Sequence, residues 1–315
     1  MVLYGEGKNN GLRYVVGVCI AVLCVSGTVR AQEASTAPAL PVSAQPLAKQ
    51  SMVRCADSTL QARLQRQVAQ AGWGGLADQE QLAVSVVDLS DPNQPRYAAI
   101  NGQEMMYAAS LPKIGILYAA ARRMEQGHLA PSSSVQKDLQ SMIRVSSNAA
   151  ATRMIDRVGG LEAVNRALRD GEPAFYDRER GGGLWVGKRF SADDRRQPDP
   201  IEGLSHAATV HQVARFYTLL AAGRLIDRER SAQMLEALSD PALDHKFVGV
   251  LQRRAPAANI YRKSGTWRTW HADSALVWGP ERRYVLVALV KSAHGGRVVR
   301  GLLPAAEAAL AGCCA

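Results

Sequence analysis

The sequence predicts an α+β protein of two domains: a five-stranded antiparallel sheet flanked by an N-terminal and a C-terminal helix, with an all-helical domain inserted between its strands. Three observations carry that expectation. Strand signals fall into two distant clusters, two strands within 82–100 and three within 260–290. The stretch between them reads mainly as helix, and a helix-period segment stands at each end. One sheet assembled from both ends of the chain buries all of these apolar faces together.

Leu60, Leu64, Val68 and Ala71 recur at helical spacing, giving a helix over 56–71 that Gly72, Gly74 and Gly75 end. Residues 82–88 and 96–100 read as two strands of a hairpin, with Asp91-Pro92-Asn93 supplying the turn. From Leu111 to about Leu238 helix dominates. Ile114, Leu117, Tyr118 and Ala121 mark one helix, while 135–143 and 149–158 suggest two more, the second stopped by Gly159-Gly160. Thr209-Val210-His211-Gln212 has the capping-box pattern and opens a helix with Val213, Phe216, Tyr217 and Leu220 inward. Strand character returns over 260–266, 272–278 and 284–290; the last is apolar throughout, as a central strand is. Residues 298–310 close the chain as a helix. On this reading the folded region spans 53–315, its sheet part formed by 53–104 and 245–315 and its helical part by 105–244.

Composition bounds the function. The 315 residues are 47% hydrophobic and 21% charged, the balance of an ordinary globular protein. Lys8 and Arg13 precede an apolar run over 14–25, and Val29-Arg30-Ala31 offers a cleavage point, so residues 1–31 read as a secretory signal peptide. An uncleaved anchor is the alternative, but the run is shorter than the ~20 residues of a spanning helix. Export to the periplasm or beyond follows, with no membrane insertion after cleavage. Residues 32–52, with Pro38, Pro41 and Pro46 among Ala, Ser and Gln, read as a disordered linker. The net charge of +10 falls by two on cleavage; with no basic block interleaved with aromatics, nucleic acid is excluded as a partner. The six histidines show no metal-ligand spacing, and no glycine-rich phosphate loop follows a strand, so neither metal nor cofactor is expected. Cys55, Cys313 and Cys314 survive cleavage; either Cys55 bridges to one of the terminal pair or all three stay thiols.

Three motifs carry chemistry. Ser110-Leu111-Pro112-Lys113 is an S-x-x-K: with Ser110 at a helix start, Lys113 lies one turn later on the same face, and an amine kept neutral by burial can activate a serine. A second copy, Ser134 to Lys137, sits in a polar Ser-rich opening where solvated side chains are the natural reading. Ser146-Ser147-Asn148 falls at a helical corner, where a hydroxyl can relay a proton and an amide can hold a carbonyl; a helix N-cap by Ser146 is the plainer reading. Lys263-Ser264-Gly265-Thr266 lies on a strand, bringing positive charge to a cleft, with Gly265 permitting a substrate backbone to approach. Its plainer reading is a solvated edge lysine beside a turn glycine.

In this order the three motifs resemble those of the class A β-lactamases and penicillin-binding proteins, over roughly residues 55–312. The resemblance implies the β-lactamase/transpeptidase fold and an acyl-enzyme mechanism. Ser110 would attack the amide carbonyl, Lys113 would help take its proton, and Ser146 would pass a proton to the departing nitrogen. Asn148 would bind the substrate's side-chain amide, and Lys263 and Ser264 its carboxylate. The N–H groups of Ser110 and Thr266, flanking Gly265, would form the oxyanion hole. It also implies neighbouring terminal helices, favouring a bridge from Cys55 to Cys313 or Cys314. Arg268 is a further candidate for the carboxylate, and Trp185 and Trp267 could line the cleft or pack in the core.

The likeness breaks at two main points. Class A enzymes carry an E-x-x-L-N whose glutamate activates the deacylating water; here 169–205 offers only Glu172, Glu179 and Glu202, with Gly181-Gly182-Gly183 in place of the pattern. The interval from Ser110 to Ser146 is also shorter than the family norm, implying a more open cleft, and Ser147 stands where the family favours aspartate. Three readings compete: a β-lactam hydrolase, a D,D-peptidase or other amide or ester hydrolase acting on cell-wall peptides, and a ligand-binding protein that has lost turnover. A monomer acting on a small-molecule β-lactam or a wall peptide is expected.

Overall fold

The structure is a computed structural model and describes residues 55–190 and 195–312. The expected signal peptide, the linker, and Cys313 and Cys314 lie outside the described residues. Cys55 is half-buried and has no disulfide partner among the described residues.

The hairpin forms with the predicted limits, β1 (Leu82–Asp88) against β2 (Arg96–Ile100). From the other end of the chain come β8 (Asn259–Trp267), β9 (Trp270–Trp278) and β10 (Arg283–Lys291), each slightly longer than its apolar run. The five build one antiparallel sheet in the order β2-β1-β10-β9-β8. β10 is central, and its unbroken apolar run serves two cores. Val285, Val287 and Leu289 face one layer, while Tyr284, Leu286, Ala288 and Val290 face the other.

The second layer is built by the chain ends. α1 (Ser58–Gln70) begins where the Asp57 carboxylate accepts the Leu60 N–H at 2.8 Å, and it buries Leu60, Leu64 and Val68. α10 (Gly295–Ala311) packs beside it with Val299, Leu302, Leu303 and Ala306, joined by Phe247 and Leu251 from α9 (Phe247–Arg254). The short α2 (Gly74–Asp78) follows α1.

The first layer is the inserted segment. At its heart lies α3 (Lys113–Glu125), ten of whose residues are buried. Around it stand α4 (Ser133–Arg144), α5 (Asn148–Val158), α6 (Leu161–Asp170), α7 (Val210–Ala221) and α8 (Arg228–Leu238). The Thr209 hydroxyl accepts the Gln212 N–H at 3.2 Å as the capping pattern predicts, and Val213, Phe216, Tyr217 and Leu220 are buried.

The all-helical description of 105–244 needs correction. β3 (Met106–Tyr107), β7 (His206–Ala208) and β6 (Trp185–Val186) form a small antiparallel sheet, and β4 (Tyr176–Asp177) pairs with β5 (Gly182–Gly183). Strands of two or three residues carry no period to read, and glycine is a poor strand former, so neither sheet had a sequence signal.

Candidate active site

Ser110 sits on a tight turn between β3 and α3. The Ala108 N–H donates to the His206 carbonyl at 2.8 Å, tying the turn to β7. Ala109 takes φ +50°, a conformation that strains a residue bearing a Cβ. The Leu111 N–H then donates to Ala108 O at 3.0 Å, and the Lys113 N–H to Ser110 O at 3.3 Å. The helix therefore starts at Lys113, with Pro112 as its N-cap, and Ser110 lies on the approach rather than in the first turn. Pro112 suits this place because it has no N–H to satisfy.

Against that turn runs β8, the edge strand. A Cβ on Gly265 would lie 2.2 Å from Ala108 O and 2.7 Å from Ser110 N, so only glycine permits this packing. The close approach expected at Gly265 is thus made by the protein's own Ser110 turn, bringing the Gly265–Thr266 peptide beside it. Ser264 is buried and Thr266 exposed.

Two lysines from opposite ends of the chain meet at one hydroxyl, and it is that of Ser146. The Lys263 amine donates to Ser146 Oγ at 2.9 Å and to Ser264 O at 2.8 Å. The Lys113 amine donates to Ser146 O at 2.7 Å and Asn148 Oδ1 at 2.8 Å, with Ser146 Oγ at 3.4 Å. Ser146 takes φ +58° and is not the N-cap; Ser147 caps α5 by accepting the Ala150 N–H, which leaves Ser146 free to face the lysines.

Both lysines are buried. Burial pulls Lys113 down to about 7. Burial also holds Lys263 well below the usual lysine range, and the neighbouring Lys113 pushes it further down. Lys113 at neutral pH is thus a usable base. A neutral amine has two N–H groups and one lone pair; Ser146 O and Asn148 Oδ1 take the two donors, leaving the lone pair to accept a proton.

What faces Lys113 is equally informative. The Phe190 ring lies 4.5 Å from its amine and stacks on His206 at 4.3 Å with nearly parallel planes. Burial, with Lys188, Lys113 and Arg196 adding positive charge, pulls His206 down to about 3 and keeps it neutral. Among the described residues no carboxylate hydrogen-bonds or ion-pairs with Lys113 or Lys263, and Glu172, Glu179 and Glu202 are all exposed.

Of the remaining candidates, Trp185 is buried and donates to Gln197 O, while Trp267 is 55% exposed at the end of β8. Arg268, at φ +51°, stacks over Trp267. Ser134 and Lys137 are exposed on α4, as expected for the second S-x-x-K. Sequence reasoning missed Phe190, His206 and the buried Lys246; no periodicity or motif marks them.

The profile of the "Beta-lactamase enzyme family" matches this chain over residues 62–137 and 130–311. The chain belongs to that beta-lactamase family. Solved structures with the same fold as this family member include the β-lactamase from Sphaerobacter thermophilus DSM 20745, at 19% identity and TM-score 0.58, covering 80% of this chain and 96% of that one. A structure described as PBP-A matches at 18% identity and TM-score 0.59, covering 82% and 97%. A class A β-lactamase from Bacteroides cellulosilyticus DSM 14838 matches at 15% identity and TM-score 0.57, covering 78% and 98%. At such identities these likenesses speak for the β-lactamase/transpeptidase fold alone. No curated protein sequence matches significantly. Family and fold together make this a β-lactamase-like hydrolase.

Proposed function

We propose that this hydrolase opens β-lactam rings through an acyl-enzyme on Ser110 and that deacylation is its slow step. The observation that carries the proposal is the meeting of Lys113 and Lys263 on Ser146 Oγ, beside the Ser110 turn. Neutral Lys113 takes the Ser110 proton as Oγ attacks the lactam carbonyl. The developing oxyanion faces the N–H groups of Ser110 and Thr266, each typically worth about 3 kcal/mol of barrier. As the C–N bond breaks, the proton passes from Lys113 through the Ser146 hydroxyl to the departing nitrogen. Asn148, held by Lys113, offers its amide to the substrate side chain, while Lys263, whose protonated form an incoming carboxylate favours, binds that carboxylate with Ser264. Water must then cleave the ester. Phe190 over Lys113 supports slow cleavage, since an aromatic ring cannot serve as the base that this step needs.

That same ring and the short Ser110–Ser146 interval favour a second reading, a penicillin-binding D,D-peptidase or related hydrolase acting on cell-wall peptides. In either case the signal-like residues 1–31 support work outside the cytoplasm. Intact-protein mass spectrometry over time with a penicillin tests the proposal. The expected result is one adduct that decays slowly as free hydrolysed product accumulates. An adduct that never decays favours the peptidase, and no adduct at all overturns both. Ser134→Ala should still form the adduct.

A further inference from the structure

Lys246 is placed against every local preference. The residue is 3% exposed, its backbone takes φ +56°, and it occupies the N-cap of α9, where the helix end is already positive. Lysine is also among the residues least often buried. The mechanism above makes no use of it. Such a concentration of local penalties in one side chain points to a job for its amine.

The amine has three partners. It donates to Gly265 O at 2.6 Å, to Thr266 Oγ1 at 2.8 Å and to Ala272 O at 3.0 Å. Both backbone partners can only accept, and an ammonium has a third N–H to give the Thr266 hydroxyl; burial pulls Lys246 down only to about 8, so the amine carries its charge at neutral pH. Nor is Lys246 the counterion of the nearby carboxylate. Asp273 is taken by Arg262 at 2.7 and 3.0 Å and by the Phe247 and Ser274 N–H groups.

Gly265 O belongs to the peptide unit whose other end is the Thr266 N–H. A cation bound at a peptide oxygen draws electrons along the C–N bond and makes the N–H of that unit a stronger donor, the cooperative strengthening of linked hydrogen bonds. Gly265 faces the Ser110 turn, so this unit borders the nucleophile. We infer that Lys246 is a positioning residue for the acylation step: its buried ammonium, bound to Gly265 O, polarises the Gly265–Thr266 peptide and strengthens the Thr266 N–H as an oxyanion donor. The inference rests on the Ser110 acyl-enzyme proposed above.

The test uses Lys246→Met and Lys246→Gln in the full chain. The glutamine keeps two N–H donors for the buried carbonyls but no charge, so it preserves the fold where methionine does not. Two readouts are taken with a chromogenic cephalosporin: the acylation rate constant apart from the binding constant, and the infrared stretch of the acyl-enzyme carbonyl. Losing a whole oxyanion donor costs about 10² to 10³ in rate, so weakening one should slow acylation by about 10-fold, with binding unchanged. The acyl carbonyl stretch should rise in frequency, which a general loosening of the fold would not produce. A folded Lys246→Gln protein with wild-type acylation and an unshifted carbonyl overturns the inference and leaves the Ser110 reading standing. A wild type that forms no adduct, like Ser110→Ala, overturns both.

Discussion

Replacing Gly265 by alanine probes the contact that seats the edge strand on the Ser110 turn. The added Cβ would meet Ala108 O at 2.2 Å, Ser110 N at 2.7 Å and Leu111 N at 3.0 Å. All three are backbone atoms of one turn, so no side chain can swing aside. Ordinary contact distances then require β8 and the turn to part by about 1 Å. Two costs follow, and their sizes differ. Overpacking of this kind removes about 1–3 kcal/mol of stability, a few degrees of melting temperature for each kcal/mol in a protein of this size. A misplacement of about 1 Å between reacting groups costs about 10²-fold in rate. Because Ser110 and Thr266 carry the two proposed oxyanion donors, the kinetic loss dominates. Stopped-flow acylation by a chromogenic cephalosporin should fall by about 100-fold in a protein that still melts cooperatively. Wild-type acylation in folded Gly265→Ala would refute the reasoning.

Four further outcomes are expected. Acylation should accelerate as pH rises through about 7, where Lys113 loses its proton, and Lys113→Arg, which stays charged, should abolish that rise in a pH–rate profile. Because Lys113 ionises at about 7 when folded and at 10.5 as a free side chain, the unfolded state holds the extra proton between these values. Stability therefore climbs with pH across that window, and Lys113→Met should flatten the gain in melting temperature between pH 7 and pH 9. Arg262→Met strands the fully buried Asp273 carboxylate and should cost about 3 to 5 kcal/mol in urea denaturation, most of it recovered when Asp273→Leu is added. Phe190→Glu puts a carboxylate where the ring now faces Lys113; it should shorten the adduct lifetime by about 10²-fold or more, and an unchanged lifetime counts against the role given to the ring.

What the sequence disclosed depended on whether a feature has a period or a motif. Leu60, Leu64 and Val68 revealed α1, and the apolar, β-branched runs revealed all five strands of the large sheet, because burial fixes residue type. The S-x-x-K, S-x-N and K-S-G triplets identified the side chains that the fold gathers around Ser146 and Gly265. Details of that gathering were hidden. Which serine caps α5 turns on backbone dihedrals at Ser146 and Ser147, and both residues have the chemistry to cap. That both lysines donate to Ser146 turns on how the folded backbone places that residue, which no pattern announces. Phe190 and Lys246 meet partners distant in sequence, Lys113 and Gly265, so their placement emerges only when β7, α9 and β8 are assembled.

The most direct test of the account is where a β-lactam becomes attached. After brief exposure to a penicillin, the protein is quenched in acid, digested and mapped by tandem mass spectrometry. The penicilloyl group should lie on Ser110 and nowhere else. A label on Ser134, Ser146 or another side chain, with Ser110 unmodified, would contradict the assignment of the nucleophile and the roles built around it.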